Sequence, residues 1–219
     1  MINIYNQDCM EAMEEMSNNQ YDLAIVDPPY GSDNIKGGYT KKGYCLEKAA
    51  KNNYHLELWN QKAPNNIYFT ELKRVSKHQI IWGANHFISK MPYDSSCWIV
   101  WDKDKSGLAF ADCELAWTSF NKAVRKIKII WDGFRQDDMK NKEKKVHPTQ
   151  KPVKLYEWLL MNYANNGDKI LDTHLGSGSI AIACHNLGYD LTGYEIDKEY
   201  FEAAQKRINI HKQQKRLFI

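Results

Sequence analysis

Residues 169–195 limit what this chain can fold into more than any other stretch. Gly167-Asp168 turns the chain into the run Lys169-Ile170-Leu171-Asp172, a loop with Gly176-Ser177-Gly178-Ser179 follows, and a helical stretch opens at Ile180. A second run, Leu191-Thr192-Gly193-Tyr194-Glu195, closes the unit. Two strands joined through a helix lie parallel, and parallel strands need cover on both faces. The expected fold is therefore α/β, with a doubly wound, mostly parallel sheet. A lone Gly-x-Gly is compatible with a plain strand-to-helix turn. Inside this unit, its glycines let backbone N–H groups and a helix N-terminus come close to a ligand. Glu195 follows ~20 residues on, where an acid meets ribose hydroxyls in nucleotide folds. No Gly-Lys-Ser/Thr follows the loop, so it reads as a nucleoside cradle and not a phosphate loop.

A second constraint sits near the other end. The apolar run Leu23-Ala24-Ile25-Val26 has the make-up of a buried strand and ends in Asp27-Pro28-Pro29-Tyr30. In open α/β sheets ligands bind beyond the carboxyl ends of strands, so this tetrapeptide faces a crevice. Each proline fixes its own φ and biases the residue before it toward extended backbone, which holds Asp27 and Pro28 extended. The Asp27 carboxylate and the Pro28 carbonyl then suit the two N–H bonds of an NH₂ group on a flat ring, with Tyr30 as a stacking face. Read alone, the same residues equally fit a strand cap, a tight turn and a tyrosine covering the core.

Together these stretches resemble the S-adenosylmethionine-dependent amino-methyltransferases that act on DNA. Asp27-Pro28-Pro29-Tyr30 looks like their catalytic motif, and Lys169 to Ser179 looks like their cofactor loop. His147-Pro148-Thr149-Gln150-Lys151-Pro152 between them matches the linker motif of the beta class, in which the catalytic motif precedes the cofactor motif. The resemblance implies a circularly permuted, seven-stranded, Rossmann-like sheet and transfer of a methyl group to N6 of a flipped-out adenine. Its alternatives are N4 of cytosine and a cofactor-binding subunit without catalysis. It also implies residue roles. Asp8 and Cys9 would meet the cofactor's adenine, and Thr149, Lys151 and Asp172 its amino-acid end. Gly176, Ser177, Gly178 and Ser179 would form the cradle, Glu195 would hold the ribose, and Ile196 would pack on the adenine. Asp27 would border both substrate and cofactor. Thr173-His174-Leu175 departs from the Pro-Phe pair common in the family.

The remaining chain is read in order. Ile2 to Tyr5 alternates as a short strand, and Asp8 suits a helix N-cap before Met10, Met13 and Met16. Residues 31–62 have no sustained period and mix glycines with Lys41, Lys42, Tyr39 and Tyr44, which fits either a substrate-gripping lid or a solvated loop. Tyr68 to Val75 is an amphipathic helix leading to strand Gln79 to Trp82. Asn85 and Phe87 are candidates for lining the pocket, and His86 reads as a plain turn residue. Cys97 to Trp101 and Cys113 to Trp117 are strands, Ile127 to Ile130 is a further edge candidate, and the tryptophans read as core. Pro152 suits the first position of a helix carrying Val153, Tyr156, Leu159, Leu160 and Tyr163.

The linker is basic. Lys140, Lys142, Lys144, Lys145, Lys151 and Lys154 face only Glu143, which makes Lys142, Lys144 and Lys145, with Lys41 and Lys42, the candidates for phosphate contacts with double-stranded DNA. The net charge of +3 is too small to identify such a partner. Gln214-Lys215-Arg216-Leu217-Phe218 resembles peptides that dock on the bacterial sliding clamp, or else folds back on its own domain. A homodimer is the other protein contact considered. The 219 residues with 43% hydrophobic content suit one domain. Its expected parts are a catalytic half over about 1–135, a basic linker over 136–150, a cofactor-binding half over 151–212 and a tail over 213–219. No stretch has the length of a membrane span or the layout of a signal peptide, which points to the cytoplasm. The five scattered cysteines indicate neither disulfides nor a metal site.

Overall fold

The computed structural model describes residues 1–31, 63–91, 94–104, 111–132 and 135–214. The expectations for Lys41, Lys42, the 31–62 segment beyond Gly31 and the tail from 215 to 218 lie outside these residues.

The strands are β1 (Ile2–Asn6), β2 (Tyr21–Val26), β3 (Ser76–Trp82), β4 (Trp98–Asp102), β5 (Cys113–Thr118), β6 (Arg125–Lys128), β7 (Lys169–Asp172) and β8 (Asp190–Glu195). The helices are α1 (Cys9–Glu14), α2 (Asn66–Val75), α3 (Val153–Tyr163), α4 (Ser179–Leu187) and α5 (Lys198–Gln213). All eight strands form one sheet in the order β1-β8-β7-β2-β3-β5-β4-β6. Only β5 runs against the others, antiparallel to both β3 and β4. The sheet has one strand more than the seven expected. Arg125–Lys128 pairs in parallel with β4 at the edge, where backbone bonds suffice and just Ile127 is partly buried.

β2 lies between β3 and β7, parallel to both. That position explains its unbroken apolar run: Leu23 and Ile25 join the core under α3 and α4, while Ala24 and Val26 face α1 and α2 on the other side. The chain leaves β2 toward β3 and leaves β7 toward β8, so the winding reverses between β2 and β7. A crevice opens at such a switch point. Because these strands are parallel, their carboxyl ends put Asp27, Asp172 and Glu195 at one margin of the sheet. The antiparallel β5 begins at that same margin, and its Glu114 pairs in register with Trp101 near the end of β4.

Local details follow from side-chain chemistry. Asp8 caps α1, with its Oδ1 accepting from the Met10 N–H at 2.7 Å. Asn65 caps α2 through the Tyr68 N–H at 3.1 Å, which starts that helix at Asn66, two residues before its apolar face. Pro152 is the N-cap of α3 (φ −69°, ψ 147°) and not its first helical residue. Its extended ψ lets the linker enter straight, and Val153 begins the helix. Among the described residues no helix is long and apolar enough to cross a membrane.

Candidate active site

Asp27 stands at the end of β2 with a donor on each carboxylate oxygen. The Tyr30 hydroxyl donates to Oδ1 at 2.8 Å, and the Lys151 ammonium donates to Oδ2 at 2.5 Å. Tyr30 is held by its surroundings. Its ring stacks on His86, with centroids 4.7 Å apart and planes 15° from parallel. Gly83 (φ +66°) lies against it, so close that an added Cβ would fall 2.0 Å from the ring. Glycine is needed there both for the left-handed backbone and for the space. Burial, with Asp27 and Glu114 nearby, pushes the Tyr30 phenol well above its ordinary range, so it stays a donor.

Lys151 is the centre of a buried charge chain. It is 4% exposed, and its ammonium bridges Asp27 and Glu114, reaching Glu114 Oε2 at 3.1 Å. Glu114 also pairs with Lys103. Burial works against the Lys151 charge, yet Asp27 and Glu114 raise its pKa above the ordinary lysine value. For Glu114, burial pushes upward, but Lys151 and Lys103 outweigh it and hold the carboxyl at about 2. Lys151 was expected to be a cation open to a ligand carboxylate. In the structure its charge is taken up by two protein carboxylates.

The opposite wall is the glycine loop. Glu195 accepts from the Gly176 N–H at 2.8 Å and the Asp197 N–H at 2.9 Å, one on each oxygen. Each oxygen keeps a lone pair for a further donor. Arg207 of α5 clamps the loop from behind, with Nη1 donating to the Ser177 carbonyl and to Ser179 Oγ, both at 2.9 Å. Its Nη2 meets Glu143 at 2.6 Å, and the other Glu143 oxygen accepts from the Val153 N–H at 2.9 Å at the start of α3. A Cβ on Gly178 would come to 3.0 Å of Ile208 and 3.3 Å of Ala204, a tight fit added to the strain of its positive φ of +72°.

These walls border an open cleft lined by Asp27, Pro29, Thr149, Lys151, Gly176, Ser177, Glu195 and Ile196, with His147, Gln150, Tyr156, His174 and Leu175. Ile196 is 62% exposed at the lip, an apolar surface that a flat ring would cover. Asp172 lies just behind. Burial, with Asp27 and Glu195 adding, pushes its carboxyl up to about 8, although the His174 N–H donates to it at 3.0 Å. Asp27, Glu114, Asp172 and Glu195 thus share this margin with Lys151 and Lys103, a balance that favours a cationic ligand. His147 and His174 are neutral near pH 7. Burial, with the Lys151 charge nearby, lowers His147 to about 4, and burial alone lowers His174 to about 4.

The other expected residues fall into three groups. Asp8 and Cys9 lie outside the cleft lining. The Cys9 thiol is pushed up to about 12 by burial and by Asp8, Asp172 and Glu195, so it is a neutral, inert group beside the acidic margin. Lys142 and Lys144 are exposed on the linker, whereas Lys145 is half-buried, its ammonium 5.5 Å from the Trp131 ring centre. Glu143 does not neutralise this run, because it is spent on Arg207. Asn85 is exposed, Phe87 is buried against Phe69 and Tyr30, and the residue that stacks on Tyr30 is His86. Glu114, Arg207 and His86 carried no motif. Their roles come from the antiparallel start of β5, the packing of α5 and the turn after β3. Among the described residues no cluster of potential metal ligands occurs.

Comparison with known proteins places the chain among DNA methyltransferases by family. The Type II methyltransferase M.HpaI of Haemophilus parainfluenzae is 40% identical over 80 residues, which is 36% of this chain but only 25% of that protein. The Type II methyltransferase M2.LlaDCHI of Lactococcus lactis subsp. cremoris is 25% identical over 94% of this chain and 88% of its own length. Two solved structures share the fold. The M1.HpyAVI complex with SAM matches 94% of this chain and 100% of its own at 24% identity, with a TM-score of 0.58. The cytosine-N4-specific PvuII DNA methyltransferase matches 100% of this chain and 88% of its own at 13% identity, with a TM-score of 0.61. The family model for N6/N4 DNA methylases covers residues 44–206, which hold strands β3 to β8 and the glycine-loop wall of the cleft, and the chain belongs to that DNA methylase family.

Proposed function

We propose that the protein transfers a methyl group from S-adenosylmethionine to the exocyclic N6 of an adenine turned out of duplex DNA. The observation that carries this reading is the acidic margin at the switch point, where Asp27 ends β2 beside Asp172 and Glu195. A sulfonium and an ammonium suit that excess of carboxylates, and the cofactor has both. When bound, the cofactor supplies an electrophilic methyl group. Everything else is positioning by the chain. Glu195 accepts from the ribose through its spare lone pairs, Ile196 packs on the cofactor's adenine, and Asp172 takes the ammonium. Gly176 to Ser179 bring the backbone close.

The target base leaves the duplex at a cost of a few kcal/mol, which stacking and hydrogen bonds in the pocket offset. Its amine donates to Asp27 and to the Pro28 carbonyl. Lys151 now occupies one Asp27 oxygen, so the incoming amine takes its place, and Glu114 keeps the displaced ammonium at the site. Tyr30 is the aromatic on which the base stacks in this reading. The order of the motifs, Asp27 to Tyr30 before Gly176 to Ser179, supports the permuted beta class. The exposed Lys142 and Lys144, with Lys145, are the groups that would meet phosphates.

The test is methylation of unmethylated DNA with labelled cofactor, followed by digestion and mass analysis of nucleosides. N6-methyladenine is the expected product. N4-methylcytosine would replace the reading with its nearest alternative, which the similarity to the PvuII enzyme favours. Asp27→Ala should keep cofactor binding and lose transfer by at least about a hundredfold, as loss of a positioning group does. An active Asp27→Ala protein would remove the assigned role.

A further inference from the structure

Thr173 and His174, which depart from the family pattern, join Tyr68 in a hydrogen-bonded chain that ends in the cleft. The Tyr68 hydroxyl lies 2.6 Å from Thr173 Oγ1, and Thr173 Oγ1 lies 2.9 Å from His174 Nδ1. Each hydroxyl has one proton to give, and the protonated imidazole nitrogen decides which arrangement uses them all. If Nδ1 carried the proton, Thr173 would either accept from both neighbours, leaving its own proton without an acceptor among the described residues, or donate to Tyr68. In the second case the Tyr68 proton would have no acceptor among the described residues, although that ring is only 3% exposed. A buried, unpaired O–H is costly. With Nδ1 unprotonated, Tyr68 donates to Thr173, Thr173 donates to Nδ1, and every proton is used. His174 is then the Nε2–H tautomer. The imidazole lines the cleft, and among the described residues Nε2 has no recorded partner. His174 is also tied to Asp172, whose Oδ1 accepts its backbone N–H.

We propose that His174 uses its Nε2–H to bind the carboxylate at the amino-acid end of the cofactor, a role set by the Tyr68–Thr173 chain. This deepens the cofactor reading above and rests on it. Chemically, the amino-acid end needs an acceptor for its ammonium and a donor for its carboxylate. Asp172 supplies the first. Lys151, the lysine of the cleft lining, is committed to Asp27 and Glu114, and His174, next but one to Asp172, supplies the second. The imidazole stays neutral at pH 7, so it donates without adding positive charge beside a sulfonium.

The experiment compares two probes by calorimetry: S-adenosylhomocysteine, which has the amino-acid end, and 5′-methylthioadenosine, which lacks it. His174→Phe should weaken S-adenosylhomocysteine about tenfold or more, the range of a hydrogen bond to a charged group, and leave 5′-methylthioadenosine unchanged. His174→Gln, whose amide N–H reaches toward the place of Nε2, should recover part of the loss. Unchanged 5′-methylthioadenosine binding also shows that the variant is folded. Equal weakening of both probes would mean that His174 is only a wall of the pocket, and no weakening of either would mean that it makes no contact. Both results overturn the inference while leaving the cofactor reading intact. Wild-type protein that binds neither probe would overturn the cofactor reading and this inference with it.

Discussion

Asp172 shows most directly what burial does to a single group here. Its carboxyl is raised to about 8, first by burial and then by Asp27 and Glu195, so at pH 7 it largely holds its proton. Binding a cation beside it favours the ionised form and expels that proton. Cofactor affinity should therefore rise with pH by at most about tenfold per unit below 8 and level off above it. Titrations of S-adenosylhomocysteine between pH 6.5 and 9 check the slope, and calorimetry in buffers of different ionisation enthalpy checks the released proton. Asp172→Asn should bind more weakly and lose the slope. It should also melt higher than the wild type at pH 8 without ligand. With a raised folded pKa, the native state binds more protons than the unfolded chain between about pH 4 and 8, so wild-type stability falls as pH rises through that window. Residue types of this kind were legible beforehand: Asp27, Asp172 and Glu195 stand out because a carboxylate ends an apolar run. Their shared field did not show, because it arises from three strands that meet only in the sheet.

Helix α5 matters through Arg207, which ties the glycine loop to the linker. Burial pushes Arg207 below its ordinary value and Glu143 above its own, so each ion loses more by desolvation than its partner restores. Breaking one side of such a pair is severe, while replacing both is mild. Arg207→Met should cost about 3 kcal/mol in urea unfolding, and Arg207→Met with Glu143→Gln should regain most of it. Neither variant should recover cofactor affinity, because both lack the contacts to Ser177 and Ser179. Full affinity in the double variant would show that the clamp does not shape the loop. Helices and strands were readable from periodicity wherever a face is apolar, as in α2, α3 and β2. Edges were not: β6 buries too little to leave a pattern, and Pro152 fell one position outside its helix because a cap and a first turn share the same φ.

Across the molecule, Lys142, Lys144 and Lys145 take no part in the buried ion pairs of Lys151, so the two can be tested separately. Replacing Lys142, Lys144 and Lys145 by glutamine should weaken DNA binding across sequences and flatten its dependence on salt, each lost phosphate contact reducing the log–log slope by about 0.9. Binding of S-adenosylhomocysteine should be unchanged. A slope equal to that of the wild type would move the DNA contact elsewhere.

The sequence by itself determined the mostly parallel sheet, since strand, helix and strand in turn favour parallel pairing through a crossover, and it marked the carboxylates and glycines that end those strands. It also showed the two motifs in their order, because each is contiguous in the chain. Only the tertiary structure decided what those groups touch. Glu114 reaches Lys151 because β5 runs backward in an otherwise parallel sheet, Arg207 reaches the glycine loop because α5 packs behind it, and Lys151 is held by Asp27 across 124 residues of chain. Spacing along a chain predicts periodicity on one element. Pairing of buried charges depends on which ends of distant elements meet, and that is settled by the winding of the whole sheet.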